Sequence, residues 1–331
     1  MSNESKIIRN VCFRVDGNTE IGLGHIVRCL ALAQILCVTY TILFYCKSIP
    51  EVLKKKIAEL GFGLNIIGSE LDFFQMFDSN DIIVIDNYGF DTKYHNLIKS
   101  NGNKLVVIDD FCNIHYNSDL IINHSPKVIK SNYDAEPYTE YCLGLDYCLL
   151  RPPFLEAIHF RSKSRIINSL LITFGGSDIQ NITYRALQLL AEKQQIFSRI
   201  NIVIGPSYPY LDKLKDLISA LTFEVYLYNV LDENEMCDLF LSSEYALVPS
   251  SGVLFEALAC GCKPISGYCI DNQVQVYSDF KLLDAIIDAH DFSNEKILCA
   301  FKKTQDKSLK INTDIFKSGI QKRFLDKFKN L

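Results

Sequence analysis

The chain has 331 residues, 48% of them hydrophobic and 22% charged, and carries a formal net charge of −5. That length suits two domains of a soluble globular protein, and the acidic balance argues against a general nucleic-acid binder. No apolar run reaches the roughly 18 residues that span a bilayer, and residues 1–6 lack the apolar core of a signal peptide.

The first part of the chain alternates strand-like and helical patterns. Strands are predicted at residues 10–15, 39–46, 64–67, 82–86 and 104–109, with a short one at 120–123. Helices are predicted at 25–36, 50–60 and 94–100. The strand runs are too apolar for a one-sided sheet, so they imply a parallel sheet covered on both faces. The pattern breaks at residues 126–160, which hold Pro126, Pro137, Pro152 and Pro153 and read as the end of the first domain and a crossover. A second series follows, with strands at 169–174, 199–204, 224–228, 245–248 and 263–266. Its helices are expected at 181–193, 210–221, 233–242 and 252–259. Residues 294–331 are helical in pattern and basic, with Ile297, Phe301, Leu309, Ile315, Phe316, Ile320, Phe324 and Phe328 supplying apolar faces. The expected organisation is an N-terminal domain over 1–155, a C-terminal domain over 156–310, and a terminal helix over 311–331 packing across both. Two open α/β sheets bind ligands outside the carboxyl ends of their strands, so two such halves with facing strand ends make a cleft.

Twelve cysteines lie mostly inside apolar runs, with no Cys-x-x-Cys pair. They read as buried, reduced thiols of a cytoplasmic protein. Cys260-x-Cys262 has no neighbours that complete a ligand set, so neither metal nor cofactor is expected.

Three segments carry possible chemistry. In Gly22-Leu23-Gly24-His25 a strand hands over to a helix, where unpaired backbone N–H groups attract anions. His25 adds a group that exchanges protons near neutral pH. The same pattern also suits a plain tight turn with a surface histidine. It is neither a P-loop nor a dinucleotide fingerprint, since no Gly-Lys-Ser/Thr follows and Val27 stands at the third glycine position. In Phe174-Gly175-Gly176-Ser177-Asp178 a strand ends in a glycine turn that lets a ligand approach the backbone. The alternative there is an ordinary turn with Asp178 as helix cap. In Ser251-Gly252 and Glu256 a helix start precedes a glutamate one turn in, placed to accept both hydroxyls of a ribose; the plainer alternative is a glutamate favoured by the helix dipole. Asp271-Asn272-Gln273 opens a further helix on the same side. Together these helix starts describe a site for a nucleotide diphosphate and its sugar. The pair Asp109-Asp110 reads as structural.

These residues resemble a known family. Arg14-x-Asp16 with Ile21-Gly22-x-Gly24-His25-x-x-Arg28 is the strongest piece. Val107-Ile108-Asp109-Asp110, Ser118-Asp119-Leu120-Ile121-Ile122-Asn123 and Tyr141-Cys142-Leu143-Gly144-Leu145-Asp146-Tyr147-x-x-Leu150-Arg151 follow it. Phe174-Gly175-Gly176-Ser177-Asp178 and Asp271-Asn272-Gln273 complete the set. The pattern, from about Phe13 to Gln273, is similar to the UDP-2,4-diacetamido-2,4,6-trideoxy-β-L-altropyranose hydrolases of pseudaminic acid biosynthesis. Those enzymes have the GT-B fold, α/β with two Rossmann-like domains at a central cleft, and are related to the MurG glycosyltransferase. Where the family has a small residue and serine after Arg-x-Asp, this chain has Gly17-Asn18.

The resemblance implies metal-independent hydrolysis of a UDP-linked deoxyamino sugar to free sugar and UDP, with inversion at the anomeric carbon. It makes His25 the base, Glu256 the ribose contact and Gly175, Gly176 and Ser177 the diphosphate loop. Asp16, Asp86, Tyr88 and Asn123 would contact the sugar, and Gly22, Gly24, Arg28, Ser251, Gly252, Asn272 and Gln273 would complete the substrate site. The expected partner is the UDP-sugar alone, with no nucleic acid and no membrane insertion, and the chain would be a monomer or weak homodimer. An inverting GT-B glycosyltransferase is the first alternative; a non-catalytic nucleotide-sugar binder and a UDP-sugar 2-epimerase are others.

Overall fold

The computed structural model describes residues 9–18, 21–160, 165–192 and 196–331. The leader reading at residues 1–6 and the predicted helix end at 193 lie outside them, as do Thr19 and Glu20. The chain divides into two compact units, residues 1–152 with 319–331, and residues 153–318.

The first unit opens β1 (Asn10–Val15), α1 (Gly24–Leu36), β2 (Thr41–Cys46), α2 (Glu51–Glu59) and β3 (Gly63–Ile66). It continues through α3 (Glu70–Met76), β4 (Ile82–Asp86), α4 (Thr92–Ser100) and β5 (Lys104–Ile108). A two-residue β6 (His115–Tyr116), β7 (Leu120–Asn123), β8 (Asp134–Ala135) and β9 (Glu140–Leu143) close the run. The main sheet is parallel in the order β3-β2-β1-β4-β5-β7-β9, and β6 pairs with β8 apart from it. Its central strands are apolar because helices cover both faces; β4 is buried along its whole length.

The second unit begins with α5 (Pro152–Ala157), whose first residue the division assigns to the first unit, then β10 (Ile166–Thr173), α6 (Ile182–Glu192), β11 (Arg199–Ile204) and α7 (Leu211–Ser219). It goes on through β12 (Val225–Asn229), α8 (Glu233–Ser242), β13 (Ser243–Pro249) and α9 (Gly252–Ala259). Last come β14 (Lys263–Gly267), α10 (Val274–Leu282), β15 (Ile287–His290) and α11 (Asn294–Lys303). Its sheet is also parallel, in the order β12-β11-β10-β13-β14-β15. In both sheets the order reverses beside the first strand, between β1 and β4 and between β10 and β13. Open α/β sheets bind ligands at such switch points.

α12 (Ile320–Lys329) returns to the first unit. Phe324 sits edge-on to Tyr147 at 5.5 Å, Phe328 lies 6.4 Å from Tyr40, and Arg323 Nε donates to the Asp146 carbonyl at 2.8 Å. The helical pattern read over 294–331, with a terminal helix over 311–331, is corrected: the terminal helix starts at Ile320, and residues 304–319 are not helical. Asn312, Thr313, Asp314 and Ser318 fall there, residues whose side chains compete for the backbone and so disfavour helix interiors. A second correction concerns residues 126–160, where a crossover was expected: β9 extends the first sheet by an edge strand there.

His95 of α4 is fully buried, and neither ring nitrogen has a hydrogen-bond partner. Burial, with a further push from His115, takes it down to about 4 despite the opposing charge of Asp91. Between that pH and the ordinary histidine value, the unfolded chain binds a proton that the folded chain refuses. Its contribution to stability is therefore complete above pH ~6.5 and is lost as pH falls towards 4, by about 3 kcal/mol. His95→Leu should flatten that dependence. Urea unfolding at pH 5, 6 and 8 measures it; parallel wild-type and variant curves would refute the role.

Candidate active site

The loop between β1 and α1 is folded by its own polar groups. Gly22 has φ +79°, a left-handed conformation that suits glycine. Asn18 Oδ1 accepts from the Ile21 amide at 2.9 Å, and Asn18 bridges to Gly22. A Cβ at Gly17 would lie 2.8 Å from Ile26 Cγ2, so α1 packs hard against this turn. Leu23 occupies the N-cap and supplies no side-chain cap to the first amides of α1.

His25 is the second residue of α1 and is buried. Its Nδ1 lies 2.6 Å from Asp86 Oδ1. Asp86 ends β4, the strand beside β1 across the switch point. Arg28, one turn on in α1, grips the same carboxylate with Nε to Oδ2 and Nη2 to Oδ1, both at 2.6 Å. Its Nη1 reaches Asp110 at 2.7 and 2.9 Å. Tyr88 donates its hydroxyl to Asp110 Oδ2 at 2.7 Å and sets its ring edge-on to His25, with centroids 4.5 Å apart.

The tautomer follows from these contacts. An ionised carboxylate only accepts, so Nδ1 of His25 carries the proton and donates it to Asp86. Arg28 Nη2 stands 3.2 Å from Nδ1 and donates to Asp86; a protonated Nδ1 has no lone pair to accept from it. Nε2 is left with a lone pair and has no hydrogen-bond partner among the described residues. Burial opposes ionisation of Asp86, yet Arg28 and His25 outweigh it and hold Asp86 well below the usual carboxylate range. Asp110 is likewise held low, burial being outweighed by Arg28. Arg28 is driven further above its ordinary value, since the two carboxylates outweigh the cost of its burial. With His25 neutral, the cluster holds one cation against two carboxylates; a proton on Nε2 balances it. Nearby His124 is pushed down to about 4 by burial and Arg28, and so stays neutral.

Other residues expected to touch the sugar are occupied elsewhere. Asp16 accepts from the amides of Lys47 and Ser48 at 2.6 and 3.0 Å and pairs with buried Arg14 at 2.8 Å. Arg14 also forks onto Glu70 at 2.8 and 3.0 Å. Arg14-x-Asp16 thus ties the ends of β1 and β2 to α3. Asn123 is buried, accepting from Ser125 N at 2.9 Å and donating to the Tyr133 hydroxyl at 2.9 Å. Asp109 holds its own loop, taking Cys112 N at 2.9 Å, Phe111 N at 3.1 Å, and the hydroxyls of Tyr116 and Tyr133.

In the second unit, Gly175, Gly176 and Ser177 follow β10, Ser251 and Gly252 follow β13, and Asn272 and Gln273 follow β14. They share the carboxyl edge of one sheet. A Cβ at Gly205 would lie 2.3 Å from the Gly175 carbonyl, so the turn rests directly on the chain after β11. The two helix starts differ. Asp178, at φ +42°, accepts from the amides of Ile182 and Thr183 at 2.9 and 2.8 Å, so α6 carries its own anion. Ser251 makes no side-chain cap on α9. Glu256 is buried one turn into that helix. Gln273 Oε1 accepts from the Cys269 amide at 2.8 Å, and Gln180 donates to the Cys269 carbonyl at 3.0 Å, bracing the loop that carries Asn272. Among the described residues no group of three or more His, Cys, Asp or Glu is arranged to hold a metal ion, and no helix is long and apolar enough to cross a membrane.

No family model matches the chain. It is 30% identical over 279 residues to the uncharacterized protein MJ1062 of Methanocaldococcus jannaschii, covering 80% of this chain and 57% of that protein. The chain therefore spans little more than half the length of that relative. It is 29% identical over 260 residues to the UDP-2,4-diacetamido-2,4,6-trideoxy-beta-L-altropyranose hydrolase of Campylobacter jejuni, covering 75% of this chain and 87% of the hydrolase. The chain is a relative of that hydrolase. The resemblance carried by its motifs is thereby borne out. Spore coat polysaccharide biosynthesis protein SpsG of Bacillus subtilis is 24% identical over 288 residues, 82% of this chain and 81% of SpsG. Among solved structures, MurG of Acinetobacter baumannii superposes with a TM-score of 0.67 at 10% identity, covering 98% of this chain and all of MurG. That likeness shows the fold: α/β of the GT-B type, with two Rossmann-like domains, as the sequence predicts.

Proposed function

We propose that the chain is an enzyme of UDP-sugar metabolism in glycan biosynthesis, and that it hydrolyses a UDP-linked deoxyamino sugar to free sugar and UDP. The observation that carries this reading is the Asp86–His25 pair at the switch point of the first sheet, with Nε2 left as a base. Kinship with the Campylobacter hydrolase and with SpsG supports the substrate class.

In this reaction a water oxygen attacks the anomeric carbon and the bond from that carbon to the β-phosphate oxygen breaks. UDP leaves with the electron pair, and the water proton passes to His25 Nε2. Attack opposite the leaving group inverts the anomeric configuration. The charge that develops on the departing diphosphate needs fixed donors. The start of α9, without a side-chain cap, offers them better than the start of α6, where Asp178 already sits. Gly175, Gly176 and Ser177 would line the diphosphate, Glu256 would take the ribose hydroxyls, and Asn272 would reach the sugar side.

The test is incubation with a panel of UDP-linked deoxyamino sugars and no acceptor, with UDP release assayed and the product anomer read by NMR. Release with inversion is expected. Release only when a sugar or lipid acceptor is added would make the chain a transferase instead.

A further inference from the structure

The adjacent carboxylates Asp109 and Asp110 do different work. Asp109 is spent on its own loop. Asp110 turns the other way and meets two residues that both touch His25. It receives a fork-like pair of bonds from Arg28 Nη1 at 2.7 and 2.9 Å, and the Tyr88 hydroxyl at 2.7 Å. Arg28 is thereby stretched between two carboxylates: Nε and Nη2 face Asp86, and Nη1 faces Asp110. A guanidinium is planar and rigid, so fixing one edge fixes the other. Tyr88 is half exposed, and its contact with Asp110 fixes the ring that lies against His25.

We propose that Asp110 is a positioning residue of this site: through Arg28 and Tyr88 it sets the orientation of the Asp86–His25 pair and supplies the second negative charge that lets His25 accept a proton. The proposal rests on the hydrolytic reading above for the identity of the reaction, while its geometry stands on the unbound protein. The ionisable groups around the pair are Asp86 from β4, Arg28 and Cys29 from α1, Tyr88 from the loop after β4, Asp110 after β5 and His124 after β7. His124 stays neutral and Cys29 stays a thiol, the latter pushed up by burial and Asp86. Among the described residues, Arg28, Asp86 and Asp110 are the charged groups of this cluster around His25.

Asp110→Asn keeps the shape and removes the charge. NMR titration of the His25 ring in substrate-free protein, assigned by its loss in His25→Gln, should show protonation moving to lower pH by about one unit. The acidic limb of kcat/KM should move the same way, with kcat down about 10–100-fold and KM little changed. Asp110→Glu, which restores the charge, should bring the titration back towards wild type. Residue 110 lies on the connection after β5, so Asp110→Ser serves if the asparagine variant fails to fold. An unmoved His25 titration in the charge-free variant overturns the proposal. A moved titration in a protein that releases UDP from no donor supports the proposal and sinks the hydrolytic reading, so the two fail separately.

Discussion

His25→Gln is expected to slow UDP release by about 10²–10⁴-fold, the usual worth of a general base, with the affinity for UDP unchanged. Glutamine fills much the same space and can still hydrogen-bond to Asp86, but it has no lone pair basic enough to take a proton from water. Asp86→Asn should approach the same loss by a different route. An asparagine amide can donate to Nδ1, which moves the ring proton to Nε2 and turns the base into a donor. The double variant should be scarcely worse than either single one, because residues that act as a unit are not additive. UDP affinity, measured by calorimetry, should not follow these losses if the nucleotide rests on α9 and Glu256. Wild-type turnover in His25→Gln would remove the histidine from the mechanism; additive losses in the double variant would uncouple Asp86 from it.

Ending the chain after Ser318 is expected to unfold the first unit and spare the second. α12 buries Ile320, Phe324 and Phe328, which are 2%, 0% and 1% exposed. At roughly 2 kcal/mol for each such side chain, the helix contributes about 6 kcal/mol. A whole domain commonly has only 5–15 kcal/mol in hand. Phe324→Ala alone should cost about 3–5 kcal/mol. Hydrogen exchange separates the units: amides of α1 should lose protection in the truncated chain while those of α6 keep theirs. Retained protection in α1 would show that α12 is dispensable.

Much of the fold is legible because the strands are buried on both faces. The predicted strands at 10–15, 82–86, 120–123 and 199–204 coincide with β1, β4, β7 and β11, where apolar runs end abruptly at polar turns. The less apolar elements escape. β9 is a four-residue edge strand beginning with Glu140, and β15 holds only two apolar residues besides Asp288 and His290. α3 follows a capping box, Ser69 with Asp72, and that spacing was the one signal available for it.

For the site, the helix-start pattern marks His25. Arg28, Asp86 and Tyr88 are marked only by the family resemblance, and the structure joins all four. Asp110 was illegible because two neighbouring aspartates look alike in sequence. Which one turns towards Arg28 depends on the backbone path leaving β5. The residues expected around the nucleotide lie on one sheet edge, but the sequence cannot say that Asp178 already occupies α6.

The return of α12 reverses the order in which the two units are finished during synthesis. Residues 1–152 leave the ribosome first, yet their fold lacks its last helix until all of 153–318 has been made. The second unit, contiguous in sequence, is complete before the first. While it is being made, the surface of the first unit that awaits Phe324 and Phe328 stays uncovered, including Tyr40 and Tyr147. That interval is when chaperones have the most apolar surface to hold, and a stalled or shortened transcript leaves it open for good.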